Sequence, residues 1–266
     1  MLDQLFHDPR VLGMVQAAIT SVLALGVILL ARRQNIHMER ETLIALIRGF
    51  VQVVIVGSVL LLLLQAPIWT SIFALLAMIF AAASIAARRA RGIPGAFWVS
   101  LVGIGLGSGL VIVSMTWLGV IDRTVGSLIP VGSMLIANAM NTNALALDRF
   151  RAEVESHVGQ IEAALTLGAE SKQTATPYVQ AAVEASLIPR IDSLRSLGIV
   201  WIPGLMAGMI LAGIDPVYAA IYQFVVIAMI FAASGLTSIV STLLIRSRAF
   251  SPAQQLILRP GINSSG

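Results

Sequence analysis

The chain contains no cysteine, which removes disulfides, zinc ribbons and iron–sulfur clusters from consideration. Charge is scarce as well: 11% of the 266 residues are charged, against about 25% in soluble domains. With 58% hydrophobic residues and a mean hydropathy of +0.91, there is too little polar surface to face water all round. The composition indicates a polytopic membrane protein. Catalytic signatures are missing: no HExxH, GxSxG, Walker A or paired intramembrane carboxylate occurs. The glycines of "GIGLGSG", Gly103–Gly109, lie inside an apolar run with no strand before them. They do not make a phosphate loop and read as small-xxx-small packing faces, as do Gly204 and Gly208. His7, His37 and His157 are scattered through the tail and loops and read as exposed or interfacial groups rather than metal ligands. The chain is expected not to be an enzyme, and it offers no recognisable metal site.

What is present is a series of apolar runs. The net charge of +4 and pI near 10.3 could indicate nucleic acid, but the basic residues lie between apolar runs, where they set topology. No nucleic-acid partner is expected. A span needs about 20 mostly apolar residues, and seven runs meet or nearly meet that length: roughly 11–31, 43–64, 68–87, 96–118, 125–147, 197–213 and 217–245. The N-terminal "MLDQLFHDPR" lacks the positive region and short apolar core of a cleavable signal, so the first run is expected to remain as a span. Alternate connections are basic: Arg32, Arg33 and Arg40; Arg88, Arg89 and Arg91; Arg149, Arg151, Lys172, Arg190 and Arg195; and Arg246, Arg248 and Arg259 in the tail. The positive-inside rule puts these in the cytoplasm. The expected fold is all-α, one transmembrane domain over 1–266 with about seven helices, N-terminus outside and C-terminus cytoplasmic.

The connection 148–196 is much longer than the others, and an unstructured loop of that size is unusual in a compact protein. Phe150, Val154, Val158, Ile161, Leu165 and Gly168 recur at spacings of three and four, an apolar helical stripe. Arg151 and Glu155 form an i,i+4 pair away from it. Pro177 is expected to begin a second helix and Pro189 to end it. The segment therefore reads as two amphipathic cytoplasmic helices, packed on the span ends or serving as a docking surface for a soluble partner.

Polar residues within the spans are the candidate functional groups. Arg48 lies about five residues into span two, roughly 7.5 Å deep, where it either snorkels or faces the interior. Gln52 is one turn deeper on the same face. In span five, Met134, Asn138 and Asn141 share a ridge, Asn143 points elsewhere, and Pro130 is a potential kink. The ridge asparagines either join helices or line a substrate path. In span six, Pro203 and Gly204 break the helix as a possible hinge, and Met206 follows within a turn. Gln223 in span seven reads as interhelical glue. No Asp or Glu lies in the spans away from their ends, which weighs against a proton-coupled secondary transporter. A receptor-like or structural membrane protein stays open.

Together, "RGFVQVVIVGSVL", "IPVGSMLIANAMNTNALALDR", "IEAALTLGA", "IPRIDSLRSLGIVWIPGLMAGMILAGIDP" and "YQFVV" resemble the FetB-type permease family, which includes the plant aluminium-sensitive-three proteins. The resemblance covers nearly the whole chain. It implies the permease subunit of an ABC exporter in a bacterial inner membrane, embedded in lipid and working as a homodimer with a separate cytoplasmic ATPase that carries ATP and Mg. Iron or another metal ion is the implied cargo, with a nucleotide-sugar or anion as the alternative. It also implies that Glu162, Ala163, Gly168 and Ala169 form the loop that couples to the ATPase. The substrate path would then draw on Arg48, Gln52, Met134, Asn138, Asn141 and Met206.

Overall fold

A computed structural model describes residues 9–34, 39–90, 93, 95–251 and 255–258. His7, His37, Arg91 and Arg259 lie outside these. The described residues form α-helices with no strand: α1 (Pro9–Arg33), α2 (Glu39–Leu63), α3 (Trp69–Arg89), α4 (Ala96–Trp117), α5 (Val125–Ser156), α6 (Val158–Thr166), α7 (Ser171–Ser196), α8 (Gly204–Leu211) and α9 (Pro216–Arg248). The chain divides into two compact units, 1–65 and 66–266. In the first, α1 and α2 pack as a hairpin with an apolar groove lined by Met14, Ala17, Ser21, Leu43, Ile47 and Phe50.

In the second unit α5 is the central helix, packed against α3, α4, α7 and α9. Its neighbours α3, α4 and α9 are long and apolar enough to cross a membrane, as are Val11–Leu30 of α1 and Thr42–Leu63 of α2. That makes five such helices among the described residues, where seven spans were expected. The physical reasons differ for the other two. α5 has 32 residues, ample length, but its asparagines and small residues dilute its apolar character. The run 197–213 is not one helix at all. Residues 197–203 are non-helical, and α8 has eight residues, about 12 Å at 1.5 Å per residue.

The 148–196 segment is helical throughout most of its length, and α5 runs on through its first residues. α7 spans both Pro177 and Pro189, where the sequence reading started a helix at the first and stopped it at the second. Each proline removes one backbone donor from the helix. Packing overrides that cost: Ala175, Val179, Ala182 and Ser186 form a buried stripe against α5 and α9. Ser186 Oγ bonds Ser238 Oγ of α9 at 2.7 Å. The C-terminal part of α7 is therefore packed alongside the bundle.

α4 and α9 approach closely. A Cβ on Gly107 would sit 2.7 Å from the Thr237 amide nitrogen and 2.8 Å from the Ala233 carbonyl oxygen, and one on Gly103 would meet the Ser241 side chain, with the nearest backbone atom, the Thr237 carbonyl oxygen, at 3.4 Å. Lipid tails are as apolar as side chains, so this kind of close packing drives association. Among the described residues Gly109, Gly204 and Gly208 have nothing within 4 Å and Gly105 has only Ile79 at 3.9 Å, so of the expected small-residue faces only Gly103/Gly107 is used between described helices.

Gly107→Val is expected to lower the thermal midpoint of the detergent-solubilised protein, at a cost of about 1–3 kcal/mol or more from overpacking. Gly109→Val, facing open space, should stay within about 0.5 kcal/mol of the parent. Equal midpoints for the two variants would remove the α4–α9 contact as a determinant of stability.

Candidate functional site

α7 and α8, separated by the non-helical residues 197–203, both pack against α9. Ser186 meets Ser238, and further along, the Met206 amide donates to Gln223 Oε1 at 3.2 Å. Met206 is the third residue of α8, so its N–H has no partner inside the helix. Pro203, at the N-cap, supplies no side-chain cap. The buried Gln223 amide does so from α9. The sequence reading of Gln223 as glue is thus made specific: it caps a helix break.

The break itself closes on its own backbone. Ile199, Val200 and Trp201 N–H all approach the Ser196 carbonyl, at 3.2, 3.0 and 3.3 Å, and the Gly198 N–H donates to the Trp201 carbonyl at 3.0 Å. Beside this turn lies a cavity of about 80 Å³ lined by Asn138, Arg190, Ser193, Trp201, Ile227, Ile230 and Phe231. Ile227 and Phe231 lie roughly 16–23 Å along α9 from Pro216. For a helix entering the bilayer at Pro216, that is near the middle of a hydrocarbon core about 30 Å thick.

Two polar groups meet here. Arg190 Nη1 donates to Asn138 Oδ1, and Asn138 Nδ2 donates to the Met134 carbonyl at 2.8 Å, which turns the amide oxygen toward the guanidinium. Arg190 was counted above with the residues that set topology. Here it lies between helices, half-buried, with its Nε buried and without a hydrogen-bond partner. The signal that could have found it is the α7 stripe: Ala175, Val179, Ala182, Ser186 and then Arg190 follow helical spacing. Proline at 177 and 189 concealed that continuity.

The expected ridge divides. Met134 and Asn138 are joined by the bond just described, and Asn138 lines the cavity; Asn141 is exposed on α5. Asn143 is fully buried, and its Nδ2 donates to Ser100 Oγ of α4 at 2.8 Å. Met206 and the buried Pro203 flank the break, with Gly204 exposed at the start of α8. Arg48 and Gln52 are exposed on α2 of the N-terminal hairpin.

The expected coupling residues sit on α6 and its end. Glu162 is half-buried and Ala163 exposed. Gly168 has φ +87°, the left-handed conformation that ends a helix with least strain in glycine. Its N–H bonds the Leu165 carbonyl at 3.0 Å, and the Ala169 N–H reaches back to Ala164 at 3.0 Å. The stop leaves Leu167 projecting, 88% exposed. Behind it, Phe150, Val154, Ile161, Val179 and Ile245 form a core that joins the ends of α5 and α9 to α6 and α7. At the α5–α6 elbow the His157 ring lies 5.2 Å from that of Tyr178. Burial, and then the nearby Glu153 carboxylate, raise the Tyr178 hydroxyl above its ordinary value.

Residues 14–250 match the model of a family described as "Uncharacterised protein family (UPF0014)". The chain is 32% identical over 260 residues to "Protein ALUMINUM SENSITIVE 3" of Arabidopsis thaliana, covering 96% of this chain and 95% of that one. It is 31% identical over 242 residues to "Probable iron export permease protein FetB" of Escherichia coli, covering 91% and 93%. With "UPF0014 membrane protein YjkA" of Bacillus subtilis the identity is 30% over 241 residues, covering 90% and 96%. No solved structure matches the chain.

Replacing Gln223 by Leu removes the acceptor for the Met206 N–H. The expected cost is about 1–3 kcal/mol, that of a buried donor left unsatisfied. Hydrogen exchange at Met206 should quicken while exchange in the middle of α4 stays at the parent rate. Unchanged protection at Met206 would show that α8 does not need this cap.

Proposed function

This chain is a multi-pass membrane protein of the UPF0014 family, and from that membership we propose that it is the permease subunit of an ABC exporter. A separate cytoplasmic ATPase would bind ATP and Mg and supply the energy. The cargo on this reading is iron or another metal ion, and the working unit contains two copies of the permease. The observation that carries the proposal is the near-full-length likeness to the E. coli relative named as an iron export permease. The geometry supports it with a helix interrupted beside a polar cavity. In transporters, such interruptions are tolerated where they line a cavity, and substrates bind near them.

The remaining assignments follow from the same reading. Arg88 and Arg89 end α3, Arg248 ends α9 beside Gly95, and Arg149 and Arg151 lie in the last part of α5. On this reading Glu162, Ala163, Gly168 and Ala169 share that basic end, supported by the buried core that joins α6 to these helix ends, and the positive-inside rule would make it cytoplasmic. There Leu167 would enter a groove of the ATPase. The break at Pro203 and Gly204 is the proposed hinge, and Met134, Asn138, Asn141 and Met206 are the proposed path residues near it. Arg48 and Gln52 remain candidates carried by the N-terminal hairpin.

One observation favours a second cargo class. Hard cations take carboxylate oxygens, whereas no cluster of three or more His, Cys, Asp or Glu suited to a metal occurs among the described residues, and the cavity presents Arg190. An anion, a nucleotide-sugar or a metal carried with its own anionic ligands fits that guanidinium better than a bare cation.

The test is reconstitution in liposomes with the cognate ATPase, with metal efflux and nucleotide-sugar transport measured side by side. ATP-dependent metal movement is expected; transport of the sugar alone would replace the cargo, and transport of neither would end the permease proposal. Glu162→Lys and Gly168→Asp are each expected to weaken ATPase capture at least about tenfold, the equivalent of ~1.4 kcal/mol. Capture at parental strength by both variants would remove α6 as the coupling element.

A further inference from the structure

We infer that the cavity between α5, α7 and α9 is an oxyanion site, which takes one carboxylate or phosphate group with the Arg190 guanidinium as counter-ion. Its role in cargo selection rests on the permease proposal; the binding site itself rests on geometry.

A guanidinium carries five N–H donors. One of those on Nη1 goes to Asn138 Oδ1, and the one on Nε is buried and goes to nothing. No Asp or Glu lines the cavity. Asp192 is two residues away, but its carboxylate is exposed and faces Arg195 at 3.7 Å. Among the described residues, therefore, no carboxylate neutralises Arg190. A charge left unpaired at this depth is expensive, and polar residues held inside membrane bundles are generally functional. Asn138 compensates for only part of that cost, because it offers a dipole and not a charge.

The remaining donors fit a particular ligand. Arg190 lines the cavity, and the N–H groups of its Nη atoms not given to Asn138 lie in one plane, as a carboxylate or phosphate requires; the buried Nε adds to the uncompensated charge and is not itself a ligand contact. Ser193 also lines the cavity, its hydroxyl donating to the Pro189 carbonyl at 2.8 Å, while Trp201, Ile227 and Phe231 wall it with apolar surface. Such walls lower the local dielectric and strengthen the ion pair. The volume of about 80 Å³ has room for a headgroup of a few heavy atoms and not for a large cargo, so the remainder of any cargo would extend past the break at 197–203. A bare cation is repelled.

Full-length protein in phosphatidylcholine nanodiscs is titrated with radiolabelled inorganic phosphate at constant ionic strength, with binding read by scintillation proximity. Saturable binding is expected for the parent. R190K, which keeps the charge but loses the planar donors, should raise the half-saturation concentration about tenfold, and R190Q should not saturate. A second set of discs doped with phosphatidylglycerol separates the sources. If a lipid headgroup fills the site, the doped discs suppress phosphate binding by the parent; if a soluble group does, both discs bind alike. Either result supports the site, and identical titrations for the parent and R190K overturn it, even if R190Q fails to fold. No ATPase or transport is involved. Saturable binding without transport would end the permease proposal alone, and transport with R190-independent binding would end this one alone.

Discussion

A chain that leaves its helical path inside a membrane bundle must satisfy its freed backbone groups from within the protein, because lipid offers neither donors nor acceptors. The interruption between α7 and α8 meets that constraint in two ways. The turn folds onto the Ser196 carbonyl, and the first turn of α8 is capped by Gln223 from the neighbouring helix. The position of α9 is in turn held by α4, whose Gly107 admits the α9 backbone to near contact. The cavity, the break and the polar pair beside it depend on that sequence of contacts.

The central helix follows the same logic. α5 is less apolar than its neighbours because they, and not lipid, surround much of it. Asn143 is buried against Ser100, and Asn138 is engaged by Arg190. Each amide finds its partner on a different helix, which fixes the rotation of α5 relative to α4 and α7 more specifically than apolar packing would. α5 is also continuous from Asn138 at the cavity to the core that supports α6.

The cavity is therefore narrow in chemistry as well as in size. It combines one cation, one oriented amide and one serine with apolar walls. That composition discriminates by charge before shape, since repulsion of a like charge in a low-dielectric site is a larger effect than the loss of a few contacts.

Much of this protein was legible in the sequence because some constraints are local. Membrane residence follows from composition, and the spans of α1 to α4 and α9 from the length of their apolar runs. Gly168, read from the sequence as the last member of the α6 stripe, ends that helix with a left-handed backbone, and the cap of α9, where Asp215 Oδ1 accepts from the Tyr218 amide at 2.9 Å, was not read from the sequence. The rest was decided by contacts between distant residues. Two prolines signalled breaks that packing on α5 and α9 overrode, so α7 continues to Ser196 and the interruption falls after it. Arg190 looked like a loop charge because its depth depends on that packing, and Gln223 looked like generic glue because its partner is a backbone amide 17 residues away. Local pattern marked most of the helical segments; tertiary contact carried α7 through its prolines and decided which polar groups meet, because the free energy of a buried charge or amide depends on neighbours that sequence spacing does not specify.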